Sequence, residues 1–393
     1  MNNIGFLHDC YGCGVCSVAC PRGVISISLN ENGFYKAIVS DGGCINCGIC
    51  NDICACLHKE ISVNNTIEKS WAAWSNDDRV RRKCSSGGIG FEIGKQLIEQ
   101  GYKAVGCRYN VEGQRAEHFI ASTVDDFIPS IGSKYIQSYT GSAFNNIDFS
   151  KRYLVIGTPC QIDSFRRLIR KRHCEDNFVL MDFFCHCVPS MLSWKAYVRM
   201  VESKIGKITF VSWRNKFQYG WHDSWLMGID GDEAKSNIDP VETHADALTE
   251  RVTTYQSRKS QGDLFYKLFL GDVCAGPQCS SECKYKMNHS AADIRIGDLW
   301  GNKYKDDQKG VSALAAFTEK GRSVIESLHD VSLQELPFDV VAEGQMKQNL
   351  KPKELTPVVM WLLKHEKPLD GFLFSMVFSM QRVITKIKRL LKI

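Results

Sequence analysis

CYGCGVCSVAC (residues 10–20) and CINCGICNDIC (residues 44–54) share one spacing, C-x2-C-x2-C-x3-C, and their reading decides the fold of this end of the chain. In iron–sulfur proteins that spacing lets three close cysteines hold one 4Fe–4S cluster while the fourth reaches across to a second cluster. The reading assigns Cys10, Cys13, Cys16 and Cys54 to one cluster, and Cys44, Cys47, Cys50 and Cys20 to its twin. Gly12, Gly14 and Gly48 lie between ligands, where the backbone must wrap around sulfur and a side chain would obstruct it. Pro21 completes the first run, whereas the second ends in Ala55 and is followed by a spare thiol, Cys56. Zinc sites separate their ligand pairs by a long loop and need four ligands in total, which fits these eight thiols poorly.

Oxidation destroys such clusters, so the chain is expected in a reducing compartment, the cytoplasm, with its inner membrane face as an alternative. The N-terminus, MNNIGFLHDC, has neither a basic n-region nor an apolar h-region, and no later run has bilayer length. Eighteen cysteines would suggest disulfides in a secreted protein, but here at least eight have ligand spacing. The 393 residues allow two or three domains. A hydrophobic content of 44% is ordinary for a globular chain. The net charge of +5 is spread along the sequence and does not call for nucleic acid as a partner.

Residues 1–60 are read as a small ferredoxin-like two-cluster domain that depends on its metal for stability. Residues 61–82, polar from Asn64 to Arg82 apart from Trp71 and Trp74, are read as a connector. From Cys84 the pattern becomes α/β. CSSGGIG opens an amphipathic segment, Phe91 to Gln100, that Gly101 stops, and KAVGCRY follows as a strand. YLVIG (153–157) is a buried strand, TPC a tight turn, Gln161 to Lys171 a helix, and FVLMDFF (178–184) another buried strand before CHCVPS and a helix from Ser190. This order predicts a mostly parallel sheet with covered faces over 83–205, binding ligands at the carboxyl ends of its strands. A mixed region (206–345), a second connector (346–370) and a basic amphipathic helix (371–393) complete the α+β chain.

Two loops of the α/β unit are candidate ligand loops. Ser85, Ser86, Gly87 and Gly88 offer small side chains and backbone N–H groups at a helix start, which suits either a phosphate or a plain cap. Gly157, Thr158, Pro159 and Cys160 form a glycine–proline turn that puts a thiol at a strand's carboxyl end. Further on, Cys274, Cys279 and Cys283 crowd a polar loop, and Cys185 and Cys187 share the CHC turn. Asp293 and Asp298 flank a short strand, where a buried carboxylate needs a partner or caps a ligand.

Taken in order, the cluster runs followed by CSSGGIG, GTPCQI, CHCVPS, SWRNKFQYGW, CSSECKYK, ADIRIGDLWG and KGVSALAAFTEKG resemble the beta subunit of coenzyme F420-reducing hydrogenase and dehydrogenase, from Cys10 to about Gly321. The resemblance implies an iron–sulfur flavoprotein. Ser85, Ser86, Gly87, Gly88, Gly157, Thr158 and Pro159 would line an FAD site, and Cys160, Cys185, Cys279 and Cys283 would hold a third 4Fe–4S cluster. Residues 83–205 would be the FAD-binding domain and 206–345 the family's C-terminal domain. The chain departs from the family where the usual CHG turn is CHC, adding Cys187, and where the C-terminal cysteine pair is stretched to Cys279 and Cys283 with Cys274 upstream. The choice of four thiols therefore stays open.

Clusters pass single electrons, whereas deazaflavins, nicotinamides and most organic substrates change by two, so a flavin is needed between them. The expected function is an FAD-dependent iron–sulfur oxidoreductase that takes electrons from a ferredoxin or a redox partner subunit and exchanges pairs with coenzyme F420 or another organic substrate. The alternative is a non-catalytic electron adapter for a partner enzyme. Similar chains occur among surface-polysaccharide gene products, so the family name does not fix the substrate.

In the tail, GFLFSMVFSMQRVITKIKRLLKI, a helical period puts Leu373, Met376, Val377, Met380, Val383, Ile384, Ile387, Leu390 and Leu391 on one face and Arg382, Lys386, Arg389 and Lys392 on another. It is expected either to pack on the body or a partner, or to lie on a membrane surface.

Overall fold

The computed structural model describes residues 2–40, 42–63, 66–233, 248, 251–280 and 283–391. The cluster lobe is built around an antiparallel hairpin, β1 (Ile25–Leu29) and β2 (Tyr35–Val39), with Ile27 opposite Ala37. Short helices Val15–Ala19 and Ile49–Asp52 carry cysteines of the two runs. Each begins at a left-handed glycine with φ 76°, Gly14 in one and Gly48 in the other, so the sequence duplication is a backbone duplication. Only glycine holds that conformation without strain.

A large mixed sheet follows. Its strands are β3 (Lys69–Ser75), β4 (Lys103–Asn110), β5 (Arg115–Ala121), β6 (Ser138–Tyr139), β7 (Tyr153–Ile156) and β8 (Phe178–Phe183), joined by three later strands. Between these two sets β9 (Ile208–Ser212), β10 (Leu226–Gly231) and β11 (Tyr255–Arg258) form a separate antiparallel sheet, and β12 (Ile294–Asp298), β13 (Ser312–Ala316) and β14 (Val331–Glu335) then return to the large one. The order is β14-β3-β13-β12-β8-β7-β4-β5-β6. Its centre, β12-β8-β7-β4, is parallel throughout, and the strands on the β3 side are antiparallel. Within 83–205 the sheet is mostly parallel, as its strand–helix alternation predicts.

Two expected connectors carry structure. Segment 61–82 supplies β3, whose Trp71, Ala72 and Ala73 are buried between β13 and β14, and the helix Asp78–Lys83. Alanines are poor strand formers, but here they admit close neighbours on both faces, so tertiary packing overrides propensity. Asn64 lies outside the described residues. Segment 346–370 contains the helix Thr356–Lys364, which buries Val359, Leu362 and Leu363.

The two aspartates of the ADIRIGDLWG stretch are held by protein. Asp293 accepts from Arg166 and from the Leu180 amide, each at 2.8 Å, and Asp298 accepts from Trp221 at 2.8 Å and Arg214 at 3.2 Å. Under the sheet Asp182 and Arg295, both fully buried, form a bidentate pair at 2.7 Å. Among the described residues no helix is long and apolar enough to cross a membrane.

Candidate metal and cofactor centres

Two cavities of nearly equal size, about 330 and 340 Å³, lie in the cluster lobe. Cys10, Cys13, Cys16 and Cys54 line the first together with the spare thiol Cys56; Cys20, Cys44, Cys47 and Cys50 line the second. Each therefore gathers three cysteines of one run and the last of the other. Their remaining walls are mainly aliphatic, with Ile4, Ile27 and Ile53 around one and Val24, Ile25 and Val39 around the other. Burial pushes the Cys13 thiol up to about 11 and raises those of Cys16, Cys50 and Cys54. Four thiolates in such a wall need compensating cations, which cluster iron supplies. N–H groups already point at sulfur, Gly12 to Cys10 at 3.4 Å and Asn3 to Cys44 at 3.5 Å, as donors around a cluster do. The residues present fit the group.

A third cavity, about 880 Å³, opens where the lobe meets the sheet. Cys160, Cys185, Cys187, Cys279 and Cys283 all line it, beside Thr158, Pro159, Gln137 and His186. Thr158 caps the helix Pro159–Lys171 through a reciprocal box with Gln161, which places Cys160 in its first turn at the end of β7. Cys185 and Cys187 follow β8, and Lys286 fixes their turn by donating to the carbonyls of Cys185 and His186, both at 2.8 Å. Cys279 sits in the short helix Pro277–Ser280. Burial raises Cys160 and Cys187 strongly and Cys185 to about 12, with neighbouring thiols adding to each. The upstream thiol, Cys274, is buried in the hydrophobic core instead and does not line the cavity.

The third cavity adjoins the first. Cys10 and Tyr11 line both, and the Tyr11 hydroxyl is raised by burial and by the Cys160 and Cys56 thiols. Gln137 stitches the lobe to the sheet, accepting from the Tyr35 amide at 2.9 Å and donating to the Tyr11 carbonyl at 3.1 Å. Thr140 adds a bond to the Cys13 carbonyl at 2.9 Å, and Lys284 donates to the carbonyls of Ala55, His58 and Glu60. Tyr11, Gln137, Lys284 and Lys286 escape sequence reasoning, since each lies singly outside any periodic pattern.

Of the expected flavin residues, Thr158 and Pro159 line the third cavity and Ser85, Ser86, Gly87 and Gly88 do not. The serine–glycine loop stands at the same carboxyl edge of the sheet, but its groups are spent on protein. Ser85 Oγ accepts from the Ser133 amide at 2.9 Å, Ser86 Oγ donates to Val311, and the Gly87 amide donates to Ser312 Oγ at 3.0 Å. A Cβ on Gly87 would collide with the Ala73 carbonyl and stand 2.8 Å from the Ser312 amide. The first turn of the helix Ile89–Glu99 already holds a buried carboxylate, Glu92, which accepts from Ser75 Oγ. Gly157 packs on Gln161.

Beside that loop the SWRNKF stretch adds a buried network. The fully buried Arg214 guanidinium bonds Tyr135 at 3.1 Å, Asp298 at 3.2 Å, Ser224 at 2.8 Å and the Ser85 carbonyl at 3.2 Å. Its planar fork also faces the rings of Trp225 and Trp300 at 4.8 and 5.3 Å. Lys216 donates to the carbonyls of Arg81, Ser86 and Lys309.

Residues 150–337 match the family described as the C terminus of the beta subunit of coenzyme F420 hydrogenase/dehydrogenase. That stretch, which belongs to this family, contains the GTPC turn, the CHC turn and the Cys279–Cys283 loop. A chain of the xenon-derivatised F420-reducing [NiFe] hydrogenase complex from Methanosarcina barkeri is similar over 78% of this chain and 91% of that one, with 16% identity and a TM-score of 0.46. No curated protein matches.

Proposed function

We propose that the protein is an iron–sulfur flavoprotein oxidoreductase. Two 4Fe–4S clusters in the lobe relay single electrons to or from a third cluster, and an FAD beside it exchanges electron pairs with coenzyme F420 or another organic substrate. The observation that carries this reading is the adjacency of the first and third cysteine-lined cavities, which share Cys10 and Tyr11 in their walls, with the second cavity in the same lobe as the first. A relay needs redox groups packed close together, and the shared lining residues put the first and third cavities next to each other. The third cavity is also the largest of the three, and it gathers polar side chains such as Gln137 and Thr158 beside its thiols.

In this reading Cys160, Cys185, Cys279 and Cys283 hold the third cluster, with Cys187 as the competing ligand, and Thr158, Pro159 and Gln137 contact the flavin. FAD supplies the conversion between one- and two-electron chemistry. The chain's own residues exclude water, fix the thiols and join the lobe to the sheet. A ferredoxin or redox partner subunit supplies the electrons.

One observation favours the second reading, a non-catalytic electron adapter: the groups of Ser85, Ser86 and Gly87 are bonded within the protein rather than turned to a ligand. Anaerobic purification of the full chain with iron, sulfide and flavin analysis separates the two. Stoichiometric FAD that a two-electron donor reduces supports the oxidoreductase. Clusters without flavin support the adapter, and iron below one cluster per chain rejects both.

A further inference from the structure

The helix Phe372–Leu391 meets the body along one stripe, made by buried Phe374 and Val377 and half-buried Phe378, Gln381 and Ile384. A second apolar stripe is left uncovered. Leu373, Met376, Met380, Val383, Ile387 and Leu390 are each 44 to 82% exposed. At a helical period they fall within an arc of about 100°. Arg382 and Lys386 are exposed on the third face, flanking that stripe. The face expected from sequence is thus split, with Val377 and Ile384 turned inward and most of the rest outward. Lys392 and the side chain of Arg389 lie outside what is described.

We propose that this second stripe is a docking surface for an anionic lipid bilayer, on which the helix lies flat. Charge selects the occupant. The helix holds four basic residues, Arg382, Lys386, Lys388 and Arg389, and no acidic one. A second copy laid on the stripe would bring the same cations against these, whereas anionic headgroups complement them. Shape agrees, because the stripe runs the length of a 20-residue helix rather than lining a concave groove. Since no described helix can cross a membrane, the engagement is interfacial: apolar side chains enter the headgroup–acyl boundary, Arg382 and Lys386 reach phosphates, and the packed stripe keeps the body attached. The surface is independent of the redox reading, whose residues run from Cys10 to Lys286 and include none of this helix.

The test is co-sedimentation of the anaerobically purified full chain with vesicles of phosphatidylglycerol and phosphatidylcholine, against pure phosphatidylcholine. Binding to the anionic vesicles should be at least about tenfold tighter and should weaken as salt is raised. Met380→Glu with Val383→Glu should abolish binding to both, and Arg382→Glu with Lys386→Glu should abolish only the preference for anionic lipid and its salt dependence. All four positions are exposed, and unchanged iron content verifies folding. Equal binding to both vesicle types, retained binding by the Met380/Val383 variant, or a solution dimer that this variant converts to monomer would overturn the proposal, the last by identifying a second copy as the occupant.

Discussion

The twin cavities of the lobe and the larger cavity beside them are made from the same atom, cysteine sulfur, by opposite routes. In the lobe two short runs with identical spacing and identical left-handed glycines do the work, so ligand geometry is written locally and twice. The third cavity collects its thiols from a helix start, a strand end and a distant loop, and it forms only after the sheet is assembled. A locally written site depends on its metal more than on its surroundings; an assembled site depends on its surroundings first.

The contrast breaks most readily at the iron. Cys13→Ala and Cys47→Ala should each remove about four irons, one cluster's worth, because a 4Fe–4S centre needs its full set of thiolates. Unchanged iron in both variants sinks the lobe assignment. Cys160→Ala should remove the same amount while the lobe's clusters survive, with the two populations separated by electron paramagnetic resonance of the reduced protein. If Cys187→Ala causes that loss and Cys283→Ala does not, the ligand set has been misassigned.

Smaller effects test the assembled half. Gly87→Val should cost about 3 kcal/mol through its collision with β3 and β13, whatever happens to the flavin. Denaturation showing a loss below about 1 kcal/mol, the lower end for overpacking, would mean that the loop is looser than its hydrogen bonds imply. His118 on β5 is buried, with Nε2 on the Ile156 carbonyl and no partner for Nδ1, and burial takes its pKa from 6.5 down to about 4. The folded state therefore resists a proton that the unfolded chain accepts. The stability is complete above pH 6.5 and falls as pH drops towards 4, by up to about 3 kcal/mol. In a His118→Gln variant that acid limb should flatten, as followed by melting temperature across the same pH range. Smallest is Cys274→Ala, which should leave iron unchanged and cost about 1 kcal/mol for the lost core volume.

What is legible in the sequence follows the same division. The cysteine runs specify their cavities outright. The strands β4, β7 and β8 and the helices after β7 and β8 stand out because continuous apolar runs alternate with amphipathic ones, and the helix read from Ser190 begins there, with Ser190 as its cap. β3 is illegible since KSWAAWS has small residues where its faces are closely covered and no β-branched run. β5 is hidden by buried polar residues, Glu117 and His118, whose partners Arg108, Arg115 and Ile156 come from other positions. The serine–glycine loop looks alike in sequence whether it faces a phosphate or a neighbouring strand, and only the Ala73 and Ser312 contacts distinguish the two. In the tail, amphipathicity is readable but the packed side is not, because Phe374 and Phe378 compete with the aliphatic stripe for the body.

The place of β3 in the sheet sets a schedule for biosynthesis. It leaves the ribosome soon after the lobe, yet both neighbours, β13 and β14, come from the far end of the chain. The lobe has all eight cysteines of its two runs by Cys54, so the proposed clusters could take up iron while translation continues. β3 waits through that interval with both edges unpaired, and the third cavity cannot close before Cys283 is made. In the proposed reading, metal delivery becomes a two-stage event, early at the lobe and late at the third cavity, and the interval between them is when the nascent chain most needs a chaperone.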